Sequence, residues 1–327
     1  MTTELIDRSL CALVGTTSDG SRLFAVVQAP RPLDQVFWVS LYPSVDHPVG
    51  APVAHETVAV LIDELRLRVP VRRLLFRIPH TPAAAGTWAA LAAQTAQEGL
   101  LAHHRHLDGR WVSDELRAWQ PSGAAPSAPW PEPPAPGHTE LPTAVGGGLR
   151  GRHVELEPLQ PSDLGWLYDL VVADPALLGW LFAGVLPNRL QFQRRMEAGV
   201  HQQLRIHGRS TSGPVGVVFS YDLRPSDGVI SLGMLLAEEA RALGWPIEAL
   251  VLYVGHLFAT LPLRKISIDT TSDRGGTLLP SLHRLATLEA HHVDHERRGR
   301  GFVDRYTFAI HRADVAGLAG RFGVSDA

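Results

Sequence analysis

Arg241, Gly244 and Pro246 stand in an Arg-x-x-Gly-x-Pro spacing directly after the apolar run Leu232–Leu236 and before the helix-patterned Ile247–Leu250. A strand that breaks into such a turn and opens a helix aims bare backbone N–H groups and the positive end of the helix at an anion. Leu235, Leu236, Arg241, Ala242, Leu243, Gly244, Trp245 and Pro246 are therefore the candidate binding segment, with the chemistry of a pyrophosphate cradle. Pro246 leaves that cradle one donor short. Its fixed φ suits the first turn of a helix, but it has no N–H to offer. Either the remaining amides suffice, or the ligand is held mainly by groups beyond its phosphates.

Histidine is the second chemistry-bearing type. The groups His103-His104 with His106 and His291-His292 with His295 raise the question of a metal. Adjacent side chains of a strand point to opposite faces, so a His-His pair does not chelate from one face, and no metal site is expected. The single Cys11 excludes both a disulfide framework and a cysteine zinc site. Arg297-Arg298-Gly299-Arg300 reads as a solvated hairpin tip. Its alternative is a clamp for a phosphate or carboxylate, either of which arginine can pair bidentately.

The elements that must position these residues are those of a globular chain. Its 327 residues are 45% hydrophobic and 19% charged, too apolar for disorder, and the length suggests about two domains. A net charge of −3 gives no field that would draw nucleic acid or anionic lipid. Glu4, Asp7 and Arg8 interrupt the first ten residues, so no secretory leader is expected. The apolar stretch Trp245–Leu261 carries Glu248 and His256 and falls short of a membrane span. The expectation is a soluble, cytoplasmic protein that works as a pseudo-symmetric monomer or a weak dimer.

An internal repeat divides the chain. His47–Val53 matches Arg241–Ile247 through a shared Gly-x-Pro, and Val69–Leu74 matches Leu261–Ile266. Ala102–His106 then matches Ala290–His295, and Gly109–Asp114 matches Arg300–Asp304. The first copy carries His47 where the second has Arg241. It offers only a hairpin, Leu10–Thr16 with Leu23–Val27, and a strand Gln35–Tyr42 ahead of its turn. It therefore reads as a degenerate copy. From Gln120 to Pro142 lie eight prolines, with Gly146-Gly147-Gly148 after them, the composition of a stiff linker ending in a hinge. The expected organisation is 1–119 as a degenerate domain, 120–147 as linker and 148–327 as the catalytic domain.

The second copy resembles the GCN5-related N-acetyltransferases (GNAT), whose signature is a strand followed by Arg/Gln-x-x-Gly-x-Gly/Ala. Arg241, Gly244 and the helix-side pair Glu248-Ala249 fall on it, and Pro246 departs from it. Around that motif the family order continues. Leu149–Leu156 is the first strand, Pro161–Leu164 begins the first helix, and Pro214–Phe219 is a central strand. Lys265–Asp269 follows the motif helix, and Gly301–Tyr306 closes the sheet. The fold implied is α/β (α+β): a tandem GNAT fold with a mixed central sheet flanked by helices, a degenerate N-terminal copy and a complete C-terminal copy.

The resemblance implies an acyl-CoA co-substrate, no metal, and an amine acceptor approached across two helices between Asp163 and Gln203. On that side His201 is the candidate general base, with the alternative of a histidine placed at a helix C-terminus by the dipole. His256 and His283 lie in helix patterns among apolar neighbours and read as packing or solvent-facing residues. The segment after the fifth strand has no tyrosine, so Ser281 is the candidate acid, with a helix N-cap as its alternative. The tandem layout also resembles long-chain N-acyltransferases that lipidate the aminosugar of teicoplanin-type glycopeptide antibiotics. That implies a fatty acyl-CoA and a glycopeptide or other small-molecule acceptor. Trp166, Leu167, Tyr168, Leu170, Val171, Leu178, Trp180, Leu181 and Phe182 supply an apolar wall for the chain, or an ordinary core, and Trp245 a stopper. A donor on an acyl carrier protein with a peptide N-terminus as acceptor, and a non-catalytic acyl-CoA-binding scaffold, are the alternatives.

Overall fold

The computed structural model describes residues 9–16, 22–28, 35–43, 51–68, 71–107, 109–121, 149–241, 244–273 and 279–315. The proline-rich linker, Trp130 and the turn around His47 lie outside them. The chain divides into two compact units, Met1–Pro134 with Glu289–Arg297, and Ala135–Leu288 with Arg298–Ala327.

The first unit is built on β1 (Ser9–Thr16), β2 (Arg22–Gln28), β3 (Val36–Pro43), α1 (Ala51–Arg68), β4 (Arg73–Pro79), α2 (Ala85–Ala92), β5 (Ala96–Leu107) and β6 (Arg110–Trp119). Its sheet runs β1-β2-β3-β4-β6-β5, completed by residues 289–297 of β12 (Thr287–Arg298). Every neighbouring pair is antiparallel except β3 with β4, which α1 connects because a parallel pair needs a crossover. Val58, Leu61, Ile62 and Leu65 repeat at helical spacing on α1 and are buried with Val39, Leu74 and Phe76. Gly99 lets β12 close on β5, since a Cβ there would lie 2.4 Å from the Glu289 carbonyl oxygen. Positive φ at His103 (43°) and Asp294 (49°) interrupts the strand alternation. The rings of His292 and His295 consequently lie 5.0 Å apart, a closeness that simple alternation does not give.

The second unit comprises β7 (Val154–Pro158), α3 (Leu164–Ala173), α4 (Pro175–Phe182), α5 (Arg189–Glu197), β8 (Val200–Gly208), β9 (Pro214–Arg224), β10 (Val229–Leu236), α6 (Trp245–Thr260), β11 (Lys265–Thr271), α7 (Leu279–Leu285) and β13 (Gly301–His311). Strand order is β13-β11-β10-β9-β8-β7, again antiparallel apart from one parallel pair, β10 with β11. Leu250, Tyr253, Val254 and Leu257 of α6 pack with Ile230, Leu232, Ile266 and Ile268. Leu167, Val171, Leu177, Phe192 and Met196 of α3–α5 pack with Val217, Phe219 and Leu235.

Two expectations change here. Leu149–Leu156 is a tight hairpin rather than one strand: Gly151 N–H donates to Val154 O at 2.8 Å and Leu156 N–H to Leu149 O at 2.7 Å. Between Asp163 and Gln203 lie three helices rather than two, because Asp174 caps a new helix at Pro175.

Candidate functional site

The parallel ladder between β10 and β11 joins Val229–Leu232 to Lys265–Ile268. Beyond Leu232 the strands follow different partners. Gly233–Leu236 stays paired with β9 down to Leu236–Gly216, while Asp269–Thr271 stays paired with β13. A wedge opens between them, and the edges that face it are backbone. Two glycines shape the β9–β10 side: a Cβ on Gly216 would meet Leu235 O at 2.6 Å, and one on Gly233 would meet the Phe219 ring at 2.5 Å.

At the end of β10 the chain makes a 3-10 turn, Glu238–Ala240, and enters α6 through Gly244 at φ 73°, a left-handed conformation that favours glycine. Pro246 is buried in the first turn and has no N–H. Ile247 and Glu248 donate their N–H groups to Gly244 O at 3.2 and 3.5 Å. Among the described residues, the amides of this helix start that donate to no backbone carbonyl are those of Gly244 and Trp245. Ala242 and Leu243 lie outside the described residues. Glu248 does not fill the cradle: it accepts from the His153 N–H at 2.8 Å and lies 2.9 Å from His153 Nδ1.

Arg241 is engaged. It forms an ion pair with Asp174 and donates to Leu236 O at 3.0 Å. The other carboxylate oxygen of Asp174 accepts from Ala176 N–H at 2.8 Å and Leu177 N–H at 3.3 Å, capping α4. Burial alone would raise the Asp174 carboxyl; the Arg241 hydrogen bond, the two backbone amides and the Arg241 charge outweigh it and hold the carboxyl below its usual range.

The remaining expected residues scatter. Leu235 is buried against α3–α5, and Leu236 packs on the α6 side. The Trp245 ring also belongs to the α6 side and rests on Gly208, where a Cβ would lie 2.5 Å from it; it is not part of the apolar wall of α3–α5. His201 is exposed on β8 rather than at a helix end, because α5 stops at Glu197 and Gly199 turns the chain at φ 70°. Ser281 is the third residue of α7, inside the helix, and its hydroxyl accepts from Arg284 Nη2 at 3.2 Å. His256 is partly buried, which lowers its pKa, and stacks on Tyr253. His283 is exposed, edge-on to Phe308 at 5.0 Å. Arg298 ties to Asp273 at 3.0 Å and lies against Gly179 of α4. Among the described residues no group of three or more His, Cys, Asp or Glu could hold a metal ion.

Sequence reasoning missed a polar group beside the wedge. Asp269 is the first β11 residue past the parallel ladder; it accepts from Arg305 Nη2 at 2.5 Å and from Thr307 Oγ1 at 2.6 Å. Tyr221, opposite Ser231 on β9, has its phenol pKa raised, first by burial and then by the negative field of Asp269, with Arg305 opposing. The available signal was the alternation Phe219, Tyr221 and Ser267, Asp269, Thr271, which sets one face of each strand.

No family model matches the chain, and no curated protein matches it. Solved structures do. The ribosomal L7/L12 α-N-protein acetyltransferase RimL in complex with coenzyme A is 16% identical with a TM-score of 0.43, over 49% of this chain and 95% of that one. A GCN5-related N-acetyltransferase from Brucella melitensis is 17% identical, TM-score 0.45, over 57% and 88% of the two chains. Spermidine N-acetyltransferase from Vibrio cholerae, in complex with coenzyme A and spermine, is 12% identical, TM-score 0.45, over 51% and 99%.

Proposed function

We propose that the chain is an N-acyltransferase of the GNAT kind, which moves an acyl group from a coenzyme A thioester to a primary amine in its second unit. The observation that carries this reading is the parting of β10 and β11 after Leu232 and Ile268, beside the Gly244 turn and the start of α6. A pantetheine arm can add its amides to the open strand edges, with its diphosphate on the helix start. The acceptor amine then attacks the thioester carbonyl. The C–N bond forms, the oxyanion is held by a backbone N–H of β10, and collapse breaks the C–S bond to give an amide and coenzyme A. One proton leaves the amine and one reaches the thiolate. His201 as base and Ser281 as acid remain in the proposal, and Tyr221 joins them as a phenol kept protonated on the wedge face.

The tandem reading rests on registers. Each unit has one parallel pair, which opens on a fully buried basic residue opposite a valine: Arg73 opposite Val36, Lys265 opposite Val229. Four residues further along each strand stand Arg77 and Asp269, each ion-paired with the residue two rungs from its antiparallel partner, Asp114 in the first unit and Arg305 in the second. The same ladder positions thus carry an ion pair of reversed polarity. This is what divergent copies of one ancestor would leave.

The finer reading is a long-chain donor and an aminosugar acceptor such as that of a glycopeptide antibiotic. In its favour, Trp166, Tyr168, Trp180, Leu181 and Phe182 are only partly buried on α3 and α4, and Val185 and Leu186 beyond them are 61% and 63% exposed. One observation favours a second reading, a donor carried on an acyl carrier protein with a peptide N-terminus as acceptor: Pro246 and the engaged Ile247 amide leave few N–H groups for a diphosphate. The experiment is to mix the protein with equimolar acetyl-, octanoyl- and decanoyl-CoA and read native mass spectra with thermal shifts. Retention of the long chains supports the lipidating enzyme. Preference for acetyl-CoA removes the long-chain donor, and no binding of any of them removes coenzyme A as the donor carrier. Binding without thioester consumption across amine acceptors would leave a scaffold.

A further inference from the structure

Exposed apolar side chains gather at one corner of the second unit. Among the described residues eight large hydrophobic side chains are exposed, and three of them, Val185 (61%), Leu186 (63%) and Leu190 (55%), fall within six consecutive residues between the end of α4 and the first turn of α5. Water disfavours such a cluster, and an apolar patch kept on a surface marks a place of interaction. The corner is built to hold it out. Ala183 and Gly184 turn the chain at φ 52° and 81°, Gly184 N–H donates to Leu178 O at 3.3 Å, and Val185 N–H donates to Phe182 O at 3.0 Å. Beyond the turn, the Tyr168 hydroxyl donates to Pro187 O at 2.9 Å, and Asn188 and Gln191 cap α5 reciprocally. Phe182 and Phe192 stack at the base. Four consecutive residues, Ala183–Leu186, are exposed, so the corner projects from the surface.

Charge selects the occupant. Although the whole chain carries −3, the stretch Pro175–Met196 holds Arg189, Arg194 and Arg195 and no Asp or Glu. All three arginines are exposed. Leu190 and Arg194, four residues apart, share a face of α5, while Phe192 and Met196 are buried on its other side. Arg189 lies over the Tyr168 ring at 4.8 Å and pairs with Asp169 at 3.5 Å; a pair this exposed is worth little in water and yields readily to a phosphate. A second copy of the chain would bring the same arginines face to face, which like charges oppose. A projecting apolar tip rimmed by cations, with aromatic rings behind it, suits the boundary between the headgroups and acyl chains of an anionic bilayer. We infer that the α4–α5 corner is a membrane-docking tip, in which Val185, Leu186 and Leu190 enter the lipid and Arg189, Arg194 and Arg195 meet its phosphate headgroups. The inference goes beyond the acyltransferase reading and stands without it.

The test is co-sedimentation of the full chain with vesicles of phosphatidylcholine alone and of phosphatidylcholine with phosphatidylglycerol. Wild type is compared with Val185→Ser/Leu186→Ser and with Arg189→Gln/Arg194→Gln, and thermal unfolding checks that these exposed substitutions leave the fold intact. Wild type should bind the anionic vesicles at least about tenfold more tightly than the neutral ones, and the preference should fade at high salt. The serine pair should weaken binding about tenfold or more through lost apolar burial, and the glutamine pair by about fivefold per arginine. No sedimentation of wild type with either vesicle would overturn the inference, as would a serine pair that binds like wild type. A dimer seen by light scattering that the serine pair turns into a monomer would overturn it too, making the tip a contact between copies of the chain. Coenzyme A protection against thermal unfolding, read on the same samples, separates the two proposals: its absence beside intact vesicle binding removes the coenzyme A donor and leaves the docking tip in place.

Discussion

Arg305 donates from Nη2 to Asp269 at 2.5 Å across the β11–β13 ladder, at the level where β11 has just parted from β10. Thr307 holds the other carboxylate oxygen at 2.6 Å, so the group is fixed in place with lone pairs to spare. In the proposed reaction the acceptor amine approaches on this face, and the fixed carboxylate, its charge already shared with Arg305, offers its remaining lone pairs to the amine N–H groups. Asp269→Asn keeps the shape and removes the charge. The expected outcome is a fall in kcat/KM for the amine of about tenfold or more, the worth of one charged hydrogen bond, with coenzyme A protection against thermal unfolding unchanged. An unaltered rate would take Asp269 out of acceptor binding.

Tyr221 carries the second site prediction. Burial and the neighbouring Asp269 keep its phenol protonated, and Phe219 and Tyr221 pack in line at 5.8 Å on the α3–α5 side. Tyr221→Phe keeps that packing and deletes one hydroxyl. If the phenol supplies the proton to the leaving thiolate, kcat drops by about a hundredfold, within the usual range for a general acid, while donor affinity stays put. A drop in melting temperature without a change in kcat would show that the hydroxyl serves only the fold.

Much of the second unit was legible in sequence, because its signals are local. The apolar run Leu232–Leu236, the Gly244-Trp245-Pro246 turn and the 3.6-residue periodicity of α6 sit side by side, and a parallel strand must follow such a crossover. The third helix of the wall had a local signal, since Asp174-Pro175 is a helix start, but the family resemblance implied two helices there, and the structure has three. What sequence could not supply are pairings between distant strands and corners. Asp174 and Arg241 are 67 residues apart and Asp269 and Arg305 are 36 apart, and nothing local marks either as a partner. The helix-end alternative for His201 fails because Gly199, at φ 70°, turns the chain into a strand there, although a glycine also fits the end of a helix.

The depressed pKa of Asp174 predicts an acid-labile contribution to stability. Its carboxyl is below its usual value in the folded protein, so the folded state binds fewer protons than the unfolded state in that window. The stabilisation is therefore complete above the unfolded pKa of about 3.9 and is lost as pH falls through the lower folded value. Asp174→Asn has no such group to titrate. Urea unfolding of both proteins should show wild type more stable by a constant margin from about pH 5 to 7, with the margin shrinking below about pH 4. A margin that stays level down to about pH 2 would mean that the Arg241 contact does not hold the charge.

Two glycines of the second unit give opposite predictions, because one is walled in and the other is not. At Gly216 an added Cβ would lie 2.6 Å from Leu235 O and 2.8 Å from Leu236 Cδ2. The first of these is backbone of the neighbouring strand and cannot step aside without moving β10, which forms one edge of the wedge. Gly216→Ala should therefore cost about 1–3 kcal/mol, as overpacking does, and weaken coenzyme A binding through the displaced strand edge. Gly255 sits within α6 with no atom within 4 Å of an added Cβ. There alanine removes backbone freedom from the unfolded chain without strain, and Gly255→Ala should stabilise by about 0.5–1 kcal/mol with coenzyme A affinity unchanged. Chemical unfolding of the two variants beside wild type checks both signs at once. A stable Gly216→Ala protein with intact binding would show that β9 and β10 can part without closing the site, and the wedge would then lose its claim to be held in shape by that contact.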